Sequence, residues 1–116
     1  MANGAYDPGA MTLRDKILQM CVVTPSELGD WNMTTAGEKA RASLEKYPVG
    51  GVIFFEDQLQ NPEQTREMLS GLQEYASRAG LPRLFMCVDE EGGKVVRIAD
   101  KAAFGVDNPG PMVSAQ

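Results

Sequence analysis

The chain has no histidine, which removes imidazole from any proton transfer that its own residues perform. It has two cysteines, Cys21 and Cys87, too few for a disulfide scaffold and not at metal-ligand spacing. Each lies in an apolar stretch, Met20-Cys21-Val22-Val23 and Met86-Cys87-Val88, so both are expected to be buried free thiols. Cysteine usage leaves the compartment open between cytoplasmic and secreted or cell-envelope. No apolar run approaches the roughly 18 residues that a membrane span requires, so no span is expected. Residues 1–10 are polar and glycine-rich, unlike a signal peptide, which says nothing about a signal on a longer parent. Basic clusters are missing too. A formal net charge of -5, with acids and bases mixed along the chain, argues against a nucleic-acid footprint and against a polybasic membrane patch. Partners are expected to be neutral small molecules or protein, with no metal and no cofactor.

What is present is an apolar run that ends in acid and glycine. Leu84-Phe85-Met86-Cys87-Val88 follows a Gly-Leu-Pro turn signal and reads as a strand buried on both faces, as in parallel sheets. At its carboxyl end stands Asp89-Glu90-Glu91-Gly92-Gly93-Lys94-Val95-Val96-Arg97. Ligand-binding residues of α/β folds gather at that edge, because loop variation there leaves the core untouched. Gly92-Gly93 lets the backbone turn sharply and bring Asp89 and Arg97 toward one place. On spacing alone the same stretch also reads as a solvated turn.

The rest of the chain supplies strand–helix units. Residues 1–11 have no apolar period and read as a flexible lead. Thr12 caps a helix from Leu13, with Leu13, Ile17, Leu18 and Met20 on one face. Residues 20–23 read as the first strand, stopped by Thr24-Pro25, and residues 26–34 as a long loop. Thr35-Ala36-Gly37-Glu38 has capping-box form and starts a helix to about Lys46, with Ala40, Leu44 and Tyr47 inward. Val49-Gly50-Gly51 turns into a second strand at residues 52–55, and Glu56-Asp57 at its end read as supporting or solvated acids. Asn61-Pro62-Glu63-Gln64 is the clearest helix start, with Asn61 as cap and Gln64 closing a box. Thr65, Met68, Leu69, Leu72, Ala76 and Ala79 form its apolar stripe, and Gly80 with Pro82 ends it. The order strand, helix, strand, helix, strand predicts right-handed βαβ crossovers and a parallel sheet. A turn-rich segment follows Arg97.

The pattern Asp-x-Glu-Gly-Gly-x-Val-x-Arg, Asp89 to Arg97, resembles the signature of the glycoside hydrolase family 3 N-terminal domain, in its β-N-acetylhexosaminidase branch. The resemblance extends through Lys16-Ile17-Leu18-Gln19-Met20, Val49-Gly50-Gly51-Val52-Ile53-Phe54-Phe55 and Asn61-Pro62-Glu63-Gln64. It covers about residues 13–100, and four co-linear motifs make it specific where any one would be weak. It implies a TIM (β/α)8 barrel, which typically needs about 250 residues. A chain of 116 residues supplies about three units of that barrel. Residues 12–116 are therefore expected to be a truncated N-terminal portion of a barrel whose remainder lies further on.

For function, the resemblance implies a retaining hydrolase of terminal N-acetylglucosamine residues, with an Asp nucleophile late in the barrel and a His–Asp acid/base on a mobile loop. Neither group can be placed here, so no catalytic residue is assigned and the chain alone is expected to be inactive. What carries over is the pair that orients the sugar, Asp89 and Arg97, a carboxylate acceptor and a planar fork of donors. Glu91, Gly92 and Gly93 are expected to support that loop, Glu91 by bracing it through backbone or charge-assisted hydrogen bonds. Lys94 stands where the family usually has Arg, which removes a bidentate fork there. Leu18 replaces a small residue common in the first motif. Trp31 suits the apolar face of a pyranose but is expected to pack on its own scaffold.

Two other readings stay open: a free-standing carbohydrate-binding or self-associating domain, and a β-glucosidase of the same family. The Glu-Gly-Gly form argues against the second, and a reading frame continuing past Gln116 would argue against the first. Three strands of an unclosed barrel leave edges and an inner face uncovered, so self-association is expected.

Overall fold

The structure, a computed structural model, describes residues 7–110. Three parallel strands form an open sheet in the order β1 (Val22–Val23), β2 (Gly51–Phe54), β3 (Phe85–Val88). Helix α1 (Leu13–Gln19) precedes β1, α2 (Glu38–Lys46) joins β1 to β2, and α3 (Pro62–Arg78) joins β2 to β3. Of the expected lead, residues 7–11 carry a single 3-10 turn, Pro8–Ala10, whose first amide is capped by Asp7. The rest of that lead and residues 111–116 lie outside the described residues.

The parallel register pairs Gly51 with Phe85, Val52 with Met86, Ile53 with Cys87 and Phe54 with Val88. Alternation then splits the sheet into two faces. Val52 and Phe54 are buried with Ala40 and Leu44 of α2 and Met68, Leu72 and Ala76 of α3. Full burial of side chains such as Leu72 or Leu44 is worth about 2–3 kcal/mol each, which makes this layer the core. The opposite face is open. Phe85 is 72% exposed and Val22 49%, with Ile53 and Cys87 half-buried between them.

Local signals placed the helices well. Thr12 accepts the Asp15 amide at 3.1 Å, and Asn61 accepts the Gln64 amide at 2.9 Å. The Gln64 side chain reaches back to Gln60 N–H and also donates to Thr34 O, so it ties α3 to the preceding loop.

Several expectations are corrected. β3 is not buried on both faces, because it is the outer strand of the sheet among the described residues and its second face carries the exposed Phe85. It begins at Phe85 because Leu84 is taken by the Gln73 amide group, which accepts its N–H at 2.9 Å and donates to its carbonyl at 2.8 Å. β1 is only Val22–Val23, since Met20 and Cys21 close the last turn of α1 through Ile17 O and Leu18 O. α1 buries its apolar face only at Leu18, which packs against the core: Leu13, Ile17 and Met20 are exposed, and polar bonds from Arg14 to Lys46 O and Gln19 to Pro48 O also hold the helix. Thr35 caps nothing. α2 starts after Gly37, and Tyr75 Oη fixes the preceding Ala36 carbonyl at 2.8 Å, which sets the entry of the chain instead. The box occurs upstream, where the Glu27 carboxylate accepts Thr24 N–H and Oγ1–H.

Tyr47 turns outward because it follows the last residue of α2 with extended φ/ψ, and its ring meets Arg14 and Lys46. Ala79, at the end of the α3 stripe, is exposed, and Cys21 and Cys87 are free but only half-buried. Gly50 is needed for backbone proximity rather than for a turn: a Cβ there would lie 2.0 Å from Gln19 O.

Candidate functional site

β2 and β3 end side by side, so Phe55-Glu56-Asp57 and Asp89-Glu90-Glu91 emerge at one edge of the sheet. The loop after β2 is built around Gln58, which is fully buried. Its Oε1 accepts Phe55 N–H at 2.8 Å and its Nε2 donates to Trp31 O. That second bond draws the long β1–α2 loop onto the end of β2. The Trp31 ring then lies 5.2 Å from the Phe55 ring, and its indole N–H donates to Asp57 Oδ2 at 2.8 Å. Trp31 thus packs on its own scaffold, and Asp57 holds it there.

Arg97 also packs against the Phe55 ring. Its guanidinium carbon is 5.5 Å from the Phe55 centroid, a cation–π arrangement. Nη1 lies 3.8 Å from Glu56 Oε2 and donates to Val96 O at 3.2 Å. The side chain is 20% exposed, and its Nε is buried with no hydrogen-bond partner among the described residues. Farther along, Lys101 Nζ donates to the carbonyls of Glu56 and Leu59, so the segment after Arg97 clamps the β2–α3 loop.

The acidic motif divides its work differently from the sequence reading. Glu90 is the carboxylate that braces the loop: Oε2 accepts the amides of Arg97 and Ile98 at 2.8 and 2.9 Å, and Oε1 that of Ala99 at 3.3 Å. Burial raises its pKa, but these three amides and Asn108 outweigh that, and the net position is below the ordinary glutamate value. Glu91 is exposed and contributes its backbone amide, which donates to Val95 O at 2.9 Å. The carboxylate brace thus lies on Glu90, and Glu91 adds a backbone bond to the same loop.

Gly92 and Val95 pair across a tight turn whose tip carries the exposed Gly93 and Lys94. Gly92 has φ +87°, and a Cβ on it would sit 2.4 Å from Gly110 Cα, so the 108–110 segment closes directly on this glycine. Asn108 Nδ2 adds a bond to Glu90 O at 3.0 Å.

Asp89 is exposed at the end of β3. It and Arg97 share this edge, but among the described residues no ion pair joins them; the acid nearest the guanidinium is Glu56. Sequence reasoning missed Glu90, Gln58 and Lys101. An apolar cavity of about 290 Å³ lies elsewhere, lined by Leu18, Val23, Leu28, Tyr47 and Val49 among others. Among the described residues no cluster of His, Cys, Asp or Glu could hold a metal, and no helix is long and apolar enough to cross a membrane.

A parallel α/β sheet with its polar cluster at the carboxyl edge defines a segment of a barrel-type α/β domain. Residues 12–109 match the glycosyl hydrolase family 3 N-terminal domain, and the chain belongs to that family. Among its relatives, beta-hexosaminidase A of Pseudoalteromonas piscicida is 38% identical over 68 residues, 57% of this chain and 11% of that protein. Beta-hexosaminidase of Nitrosomonas eutropha is 37% identical over 67 residues, 58% of this chain and 18% of its own. A solved family 3 beta-N-acetylglucosaminidase from Paenibacillus sp. str. FPU-7 matches with a TM-score of 0.65 at 31% identity, over 76% of this chain and 16% of the other. The chain thus spans under a fifth of the length of these relatives.

Proposed function

We propose that these residues form part of the sugar-binding site of a retaining β-N-acetylhexosaminidase, acting on terminal N-acetylglucosamine, with Asp89 and Arg97 as the contacts to the sugar. The observation that carries this reading is Arg97: a guanidinium held over Phe55 at the carboxyl edge, with a buried Nε that lacks a partner among the described residues. Family membership and relatives named beta-hexosaminidase support the substrate class. Asp89, exposed at the adjoining strand end, is free to accept sugar hydroxyls. Glu91, Gly92 and Gly93 support the loop that carries the pair.

Protonating the leaving oxygen and attacking the anomeric carbon require a second pair of groups. With no histidine among 116 residues, the acid/base of the proposed mechanism belongs to the remainder of the barrel. The chain alone is then inactive, and its open sheet face, with Phe85 and Val22 exposed, favours self-association.

The test is a chromogenic N-acetylglucosaminide assay on the pure chain, alongside N-acetylglucosamine binding followed by NMR. No turnover, with sugar-dependent shifts at Asp89 and Arg97, is the expected result. Turnover by the pure chain would overturn the division of labour, and sugar-dependent shifts confined to other residues would overturn the site.

A further inference from the structure

We infer that Glu90 is the positioning residue of this half-site, the group through which Arg97 is fixed for its ligand; the inference rests on the sugar reading above only for the identity of that ligand. Both ends of Glu90 are anchored. Its carbonyl accepts Asn108 Nδ2–H, and its carboxylate accepts three successive amides, those of Arg97, Ile98 and Ala99. Arg97 lies seven positions after Glu90, and the turn between them is closed by the Gly92–Val95 pair. The carboxylate therefore ties the far arm of the loop to the end of β3, and with it the backbone position from which the Arg97 side chain departs.

The guanidinium needs that support. Its own polar contacts are a neighbouring carbonyl, Val96 O, and a long approach of 3.8 Å to Glu56. Phe55 offers a face but no direction within the plane of the ring. Backbone placement by Glu90 is what aims the fork, and a charge-assisted bond to each amide makes the placement stiff.

The experiment uses the full 116-residue chain, ¹⁵N-labelled, as wild type, Glu90→Gln and Glu90→Ala. In the wild type, the Arg97, Ile98 and Ala99 amides should resonate downfield and the buried Arg97 Nε–H should exchange slowly. Glu90→Ala should lose the downfield shifts and the slow exchange, while the Val52 and Leu72 amides stay in place. Glu90→Gln, with one acceptor oxygen instead of two, should keep part of the shifts, which decides the matter if the alanine variant does not fold. N-acetylglucosamine is the ligand probe, and its dissociation constant should rise about tenfold in Glu90→Ala, the equivalent of one charge-assisted hydrogen bond. Unchanged Arg97 signals in a folded Glu90→Ala chain would overturn the positioning role. A wild type that ignores the sugar while its Arg97 signals respond to Glu90 substitution would overturn the sugar reading and leave the positioning role supported.

Discussion

The Trp31 indole N–H donates to the Asp57 carboxylate at 2.8 Å across 26 residues of sequence. The bond joins the long loop after β1 to the end of β2, and it turns the Trp31 ring toward Phe55, which also carries the Arg97 guanidinium. Asp57→Ala removes the acceptor at an exposed position, so it should cost about 0.5–1 kcal/mol of stability, within the usual range for a net hydrogen bond. Trp31 is the sole tryptophan, so its emission reports the change directly. Urea unfolding followed by that emission should show a lower midpoint and a native-state spectrum shifted to the red. An unaltered native spectrum would mean that stacking on Phe55 holds the indole without Asp57.

Gln58 should be far less forgiving. It is fully buried and satisfies Phe55 N–H and Trp31 O at once. Gln58→Leu keeps the volume but leaves a donor and an acceptor without partners, each worth about 1–3 kcal/mol when stranded. A loss of roughly 2–4 kcal/mol is expected, on the order of a large fraction of a small domain's stability. Gln58→Glu, which keeps an acceptor for Phe55 but no donor for Trp31 O, should also destabilise. Denaturant midpoints for the two variants check this, and a loss no larger than that of Asp57→Ala would place the loop's stability elsewhere.

What was legible in the sequence was what is local. Caps at Thr12 and Asn61, the 3- and 4-residue spacing of Met68, Leu72 and Ala76, and the apolar runs of β2 and β3 fixed the element order. The family motif pointed to Asp89 and Arg97, and both lie at the carboxyl edge of the sheet. The supporting residues that were missed all make polar contacts with residues that the sequence does not place beside them. Gln73 looks like a solvent-facing helix residue until Leu84 returns beside it, and Gln58 looks like loop until Trp31 O meets it. Glu90 and Glu91 are indistinguishable by composition, and only the path of residues 97–99 assigns the brace to the first. Tyr47 shows the opposite failure, an apolar position in register with α2 that falls just past its end and points out.

The two motif glycines should respond unequally to alanine. Both have positive φ, at +87° for Gly92 and +59° for Gly93, so each replacement carries backbone strain of about 1 kcal/mol. Around Gly93 a methyl group meets nothing, whereas at Gly92 it would strike Gly110 and Asn108. Gly92→Ala should therefore release the 108–110 segment, lose the Asn108 contact to Glu90, and destabilise more than Gly93→Ala. Chemical shifts of the Asn108 side-chain amide, with thermal unfolding of both variants, provide the check. Equal effects would show that the segment does not depend on Gly92.

Acid should loosen the loop through Glu90. Its folded-state pKa is depressed because backbone amides of residues 97–99 favour the carboxylate over the cost of burial. A depressed carboxylate stabilises the fold above its unfolded pKa, about 4.3, and that contribution is lost as pH falls through the folded value. Stability should be flat from neutral pH to about 5 and decline below that. Glu27, depressed by its bonds with Thr24, adds to the same decline in the same direction. Glu90→Gln should flatten part of the acid limb and lower the neutral plateau. Urea midpoints from pH 3 to 7 test it, and an acid limb identical in Glu90→Gln would assign the decline to other carboxylates.

The open face of the sheet gives the last prediction. Phe85 is 72% exposed on β3, beside Gly51 of β2, in line with Val22 of β1 at 49%. Little core packing depends on the outward part of its ring, so Phe85→Ser should cost the fold little while removing the largest apolar group from that face. If the face mediates association, the wild type should show a weight-average mass in sedimentation equilibrium that falls on dilution. Phe85→Ser should stay near the monomer mass of 12.6 kDa across the same range. Exposed Leu13, Ile17 and Met20 on α1 form a separate apolar strip, so Ile17→Ser serves as the comparison. Association abolished by Ile17→Ser and untouched by Phe85→Ser would move the contact from the sheet to the helix.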